Sequence, residues 1–171
     1  LMETELGWAS VYAYDKEVLG ENGTLGRNSF HEVLLIQQFR LALKKLNPWI
    51  NDKQIAEAIE RMTERMSSQT LMQINEQKYQ FIRDGIPVTR IKPDGTSEEI
   101  KAVVIDFENV DNNNFLCVRE LWVYGALYRR RADIVGFVNG IPLLFVELKN
   151  HNIEVENAFN ENYRDYLDTI P

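Results

Sequence analysis

The chain has 171 residues, 44% of them hydrophobic and 26% charged, which suits a folded domain of ordinary size and excludes wholesale disorder. Its formal net charge of −7 argues against a domain that grips nucleic acid mainly by non-specific attraction, although a local basic patch on an acidic body remains compatible with DNA as a substrate. No apolar run approaches the roughly 18–20 residues of a membrane helix, the opening "LMETELGWASVYAYD" lacks the basic-then-apolar order of a signal peptide, and a single cysteine, Cys117, closes no internal disulfide, so a reducing, cytoplasmic setting is expected.

With no internal repeat, low-complexity tract or Gly/Ser linker, the chain reads as one domain over 1–171, helical over about 1–85 and sheet-forming beyond. The first helix is expected along "RNSFHEVLLIQQFRLALKKLNP". There Ser29 and Glu32 fit a capping box, Val33, Leu34, Ile36, Phe39, Leu43 and Leu46 recur at helical spacing, and Pro48 forbids continuation. A second helix spans "NDKQIAEAIERMTERMSS", with Asn51 or Asp52 as N-cap and Ile55, Ala58, Ile59, Met62 and Met66 as its apolar stripe. A third covers "TLMQINEQKYQFIRDG" and stops at Gly85.

Strand signals follow. "IPVTRIK", "EEIKAVVIDF", "NFLCVRELWVY" and "LYRRRADIVGFV" are rich in β-branched and aromatic residues; "PDGT" is a turn and Glu108 to Asn114 a polar loop. The segment "EVENAFNENYRDYLDTI" returns to helical spacing. Helices, then a mostly antiparallel meander, then a helix give an α+β layout or a mixed α/β sandwich.

The stretch "RRRADIVGFVNGIPLLFVELKN", Arg129 to Asn150, holds the chemistry. Asn139-Gly140 between apolar runs is a strong hairpin signal. A tight two-residue turn with a regular ladder would place Asp133 and Glu147 on opposite faces, because neighbours alternate. An odd-numbered loop or a bulge would put Asp133, Phe145, Glu147 and Lys149 on one face, and Pro142 fits a local irregularity. A three-residue loop with Gly140 left-handed is the expectation. Both strands are apolar on both faces, as central strands are.

Two carboxylates at the end of such strands repel, and a hard divalent cation held by oxygens relieves that repulsion. Asp133, Glu147 and Lys149 then suit phosphodiester hydrolysis, with the carboxylates on metal and the lysine beside water or phosphate. Beside this stands the plainer reading that the three charges form an ion-pair cluster at a strand edge.

These residues carry a resemblance. Arg-x-Asp-Ile-Val, Phe-Val-Asn-Gly-Ile-Pro-Leu and Glu-Leu-Lys-Asn resemble the nuclease motif of the R (restriction and motor) subunit of type I restriction-modification enzymes, in the PD-(D/E)XK superfamily. "LGR", "EVLL", "LNP", "VIDFENVDNNNF" and "AFNENYRDYLDTIP" extend the likeness over nearly the whole chain.

The resemblance implies a restriction-endonuclease-like mixed central sheet flanked by helices. By it, Asp133 and Glu147 are metal-binding acids, the Leu148 carbonyl completes the metal shell, and Lys149 is the catalytic lysine. The family's Gln-x3-Tyr element falls on Asn162 and Tyr166, where the shorter Asn departs from the pattern. Ala132 stands where the superfamily has Pro. The basic run supplies Arg130 and Arg131 as DNA or site support, against a plain reading as a solvated strand edge. Glu32 stays open between a helix cap and a further acid.

The implied activity is Mg²⁺-dependent DNA cleavage, with Mn²⁺ as substitute and without sequence reading of its own. ATP is used only by motor domains outside this chain, since no phosphate-loop motif is present. The implied partners are DNA and the methyltransferase and specificity subunits, in a prokaryotic cytoplasm, with no membrane. Two other readings remain: a repair or junction nuclease of the same superfamily, and a catalytically silent docking module.

Overall fold

The structure is a computed structural model that describes residues 2–64, 69–125, 127–148 and Arg164. In chain order its elements are β1 (Ala9–Tyr12), α1 (Ile36–Leu46), α2 (Asp52–Thr63), α3 (Leu71–Asp84), β2 (Ile86–Ile91), β3 (Ser97–Ala102), a 3-10 turn at Val110–Asn112, β4 (Phe115–Tyr124), β5 (Arg129–Val138) and β6 (Ile141–Val146). The fold is mixed α/β, with helices and a sheet that combines parallel and antiparallel strands. The chain divides into two units, Ile36–Asn114 and Leu1–Leu35 with Phe115–Pro171.

In the unit Ile36–Asn114, α2 and α3 begin with full capping boxes. Asn51 and Gln54 bond reciprocally, as do Thr70 and Gln73, so each helix start satisfies backbone donors that would otherwise lack partners. Gly85 ends α3 with φ 91°, a backbone angle that favours glycine. Strand β2 pairs with β3 antiparallel from Ile86↔Ala102 to Ile91↔Ser97, around the expected turn. Strand β3 stops at Ala102, shorter than its apolar run suggests. Buried Asn47 donates to the carbonyls of Leu43 and Val103 and accepts from the Val103 N–H at 2.8 Å, which ties the end of α1 to the chain leaving β3. Asp106 organises the polar loop: its carboxylate accepts from the N–H groups of Glu108 and Asn109 and from the Asn112 amide.

The first helix starts later than expected. Ser29 and Glu32 lie in a turn, where Glu32 accepts from the Asn28 N–H at 3.0 Å and the Ser29 hydroxyl accepts from the His31 N–H. The box-like spacing thus caps a turn, and α1 begins at Ile36 without it.

The unit Leu1–Leu35 with Phe115–Pro171 holds the four-stranded sheet, in the order β1-β4-β5-β6. Strand β1 runs parallel to β4, with Val11 opposite Val118, and β4, β5 and β6 form the antiparallel meander. One apolar cluster, including Leu25, Leu35, Leu116, Val118, Leu121 and Phe137, covers one face. Strand β1 is too short, at four residues, to stand out by periodicity.

Arg27 and Glu17 hold the loop after β1 to β4. Both side chains are almost wholly buried, 1% and 2% exposed. The Arg27 Nη2 donates to Glu17 Oε2 and to the Trp122 carbonyl, each at 2.7 Å, while Nη1 donates to the Glu32 carbonyl. A buried guanidinium needs such saturation, because leaving charge unpaired in the interior is costly.

Candidate active site

The hairpin that carries the candidate acids differs from the expected one in a single detail. Its turn has two residues: Val138 pairs with Ile141, and Asn139 and Gly140 both have positive φ, 53° and 83°. That geometry matches the twist of the flanking strands and suits Asn-Gly. The expected odd-numbered loop is therefore absent.

The other route to a shared face is present. Phe137 pairs with Pro142, but Gly136 pairs with Leu144, so Leu143 is an extra residue in β6. Pro142 offers no N–H to the ladder, which removes one reason for the strand to stay regular there. Beyond the bulge Val135 faces Phe145 and Ile134 faces Val146. Asp133 and Glu147 are the next residues of the two chains beyond this last pair. The Leu148 N–H donates to Asp133 Oδ2 at 2.7 Å, so the carboxylate is fixed against the chain leaving β6. Asp133 and Glu147 are both half-buried.

The covering of the strands also differs from expectation. Strand β5 is internal, between β4 and β6. Strand β6 ends the sheet among the described residues, and Leu143, Leu144 and Phe145 are each 40% exposed or more. Apolar residues on both faces of β6 therefore do not signify a central strand here.

A second irregularity lies directly across from Asp133. Glu120 has φ 59° in the middle of β4, where a non-glycine residue costs roughly 1–3 kcal/mol and such strain gathers at functional sites. Its neighbours pair as Arg119↔Ile134 and Leu121↔Ala132, so Glu120 occupies the position facing Asp133. A left-handed residue turns the chain that follows, and strand alternation resumes out of phase. Before Glu120 the core-facing pairs are Leu116↔Phe137 and Val118↔Val135; after it the pair is Leu121↔Ala132. Both strands change phase together, and Asp133 sits at the crossing. Glu120 Oε2 lies 2.7 Å from Arg131 Nε.

This phase change separates the basic run. Arg131 pairs with Trp122 on the face away from the core, and Arg129 pairs with Tyr124 there. Arg130 pairs with core-facing Val123 and lies over the Tyr128 ring. Asn162, Tyr166 and Lys149 lie outside the described residues, as does the helix expected after Lys149 except for Arg164, which is helical. The sequence reading missed Glu120, because period-two alternation gives no sign of a residue that reverses it.

The site thus joins Asp133, Glu147 and the backbone of Leu148 at one end of a bulged hairpin. Carboxylate oxygens are the kind of ligand a hard divalent cation prefers. No group of three or more His, Cys, Asp or Glu side chains gathers into a cluster among the described residues.

Residues 1–171 match the family described as Type I restriction enzyme R protein N terminus. The chain belongs to that family. It is 31% identical over 169 residues to the type I restriction enzyme HindI endonuclease subunit of Haemophilus influenzae, an alignment covering 95% of this chain and 16% of that protein. It is 25% identical over 162 residues to the type I restriction enzyme SauCOLORF180P endonuclease subunit of Staphylococcus aureus, covering 91% of this chain and 16% of the relative. The chain thus spans about a sixth of these curated relatives. As a member of the R protein N-terminus family it carries the Asp133 and Glu147-Leu148 elements on which the likeness first rested. No helix among its described residues is long and apolar enough to cross a membrane.

Proposed function

We propose that this chain is the nuclease domain of a type I restriction enzyme R subunit, a metal-dependent DNA endonuclease that hydrolyses phosphodiester bonds without reading sequence itself. The observation that carries the reading is the Leu148 N–H bonded to Asp133, just beyond the bulged register that ends at Ile134↔Val146, in a chain that belongs to the R protein family over its whole length.

Asp133 and Glu147, with the Leu148 carbonyl, would hold Mg²⁺, or Mn²⁺ in its place. When bound, the ion lowers the pKa of its water and offsets charge developing on the phosphoryl oxygen. Leu148 prevents Asp133 from turning away, so the carboxylate is held in place before substrate arrives. Lys149 is assigned to orient or deprotonate the attacking water, or to balance the phosphate. Asn162 and Tyr166 are assigned as support on the following helix, Arg131 as a contact to DNA, and Arg130 as support for the site. Target recognition belongs to the specificity and methyltransferase subunits, and ATP use to the motor domains of the longer subunit, in the cytoplasm of a prokaryotic cell.

The test is nicking of supercoiled plasmid with Mg²⁺ by the complete subunit assembled with its partners. Asp133→Asn and Lys149→Ala should each abolish cutting. A normal rate in either variant would overturn the assignment. Crystals of this chain soaked in Mn²⁺ should show an anomalous peak between Asp133 and Glu147 that Asp133→Ala removes.

A further inference from the structure

The face of the sheet away from the core carries a regular interleaving of guanidinium groups and aromatic rings. Arg119 stacks over Tyr12, 5.5 Å from the ring centroid. Arg131 lies over two rings, 4.9 Å from Tyr14 and 5.9 Å from Trp122, and Arg129 lies 5.7 Å from Trp122. The Trp122 Nε1 donates to the Tyr14 carbonyl at 3.0 Å, which fixes the indole that both arginines approach.

The register explains the shared face. Tyr12 is opposite Arg119 and Trp122 opposite Arg131, while Val11 and Ala13 point to the core. Without the phase change at Glu120, Trp122 would point to the same side as Val118, into the core. The left-handed residue therefore brings Trp122, Arg129 and Arg131 onto the face that Arg119 already occupies.

Tyr12 and Tyr14 are 41% and 42% exposed, and all three arginines are exposed. This is a concentration of positive charge on a chain of net charge −7. Glu120 offsets part of it at Arg131. A guanidinium held over a ring has fewer rotamers open to it, and its N–H groups not used by Glu120 can still bond. Less rotamer freedom is then lost on meeting a phosphate. A rigid row of this kind suits a repeating polyanion.

We propose that Tyr12, Tyr14, Arg119, Trp122, Arg129 and Arg131 form a backbone-binding track for duplex DNA, leading to the end of the hairpin where Asp133 lies. The track deepens the nuclease reading and rests on it for the identity of the polyanion. Arg119, Arg129 and Arg131 contact phosphates, and the rings limit their rotamers. Arg130, on the other side of the strand, is not part of it.

The test uses the 171-residue chain in EDTA, with binding to a short mixed-sequence duplex followed by fluorescence anisotropy across a salt series. Changing Arg119, Arg129 and Arg131 together to Gln should lower the slope of log affinity against log salt by roughly 0.9 for each phosphate that is no longer neutralised. A chain with Arg83, Arg90 and Lys92 changed to Gln has the same net charge and should keep the slope. Arginine-to-lysine changes at the three track positions should keep the slope but weaken binding. Circular dichroism separates a binding defect from misfolding, and the lysine variant covers the case where the glutamine variant fails to fold. An unchanged slope in the track variants, equal losses in the charge-matched control, or tighter binding of single strands would overturn the proposal. The nuclease reading fails separately: if the assembled enzyme with Asp133→Asn cuts normally while the track variants still lose their slope, the track stands and the active-site assignment falls.

Discussion

Replacing Arg27 with Met tests whether the buried pair with Glu17 holds the loop after β1 to β4. The substitution removes the guanidinium but keeps much of its volume. It strands the Glu17 carboxylate, whose side chain is 2% exposed, and takes donors from the carbonyls of Trp122 and Glu32. Breaking a buried pair from one side costs roughly 3–5 kcal/mol. At about 2–4 °C per kcal/mol for a chain of this size, the loss in melting temperature is roughly 6–20 °C. Changing Glu17 to Leu in the same chain removes the stranded charge, so the double variant should recover a large part of the loss. Urea or thermal unfolding of the four chains of this double-mutant cycle gives the coupling directly. A loss below about 1 kcal/mol for Arg27→Met, the range of an exposed pair, would refute the reasoning. So would simple additivity of the two changes.

Three further outcomes follow from particular side chains. A Cβ on Gly136 would come within 2.9 Å of Trp8 Cζ3 and 3.0 Å of the Leu144 Cβ, so Gly136→Ala should cost roughly 1–3 kcal/mol by denaturant unfolding; removing Trp8 in the same chain should relieve only part of that penalty, because the Leu144 contact remains. Hydrogen bonds from Asn109 and Asn112 hold the Asp106 carboxyl below the usual carboxylate range, against a smaller opposing effect of desolvation. Its folded value lies below its unfolded one, so its contribution is present above the unfolded value and is lost as pH falls through the folded one; an NMR titration of the Asn109 amide should show a midpoint below that of an unstructured Asp, and a midpoint at or above it would contradict the loop geometry. Deleting Leu143 removes the bulge yet leaves Gly136 opposite Leu144, so plasmid cleavage by the assembled enzyme should survive, whereas inserting one residue between Val146 and Glu147 moves Glu147 to the other face and should abolish cleavage.

The spacing of apolar residues and the cap residues determined a good deal by themselves. Asn51 and Gly85 mark the start of α2 and the end of α3, and the alternating Val, Phe and Ile residues mark β4 and β5, because these signals act over a few bonds. The pairing of Asp133 with the chain around Glu147 was legible as a requirement, but its cause was not. The Asn-Gly turn is local and tight, while the bulge at Leu143 depends on how Pro142 meets the edge of β5. Ser29 and Glu32 spell a helix cap that the tertiary structure uses as a turn, with Arg27 bonded to the Glu32 carbonyl. Glu120 shows the limit most clearly. Nothing in a run of strand-forming residues announces a left-handed backbone, which persists only where the surrounding sheet, the core on one side and Arg131 on the other, outweighs its strain. That long-range balance decided which face Trp122, Arg129 and Arg131 occupy, and it places Asp133 where the two halves of the sheet exchange sides.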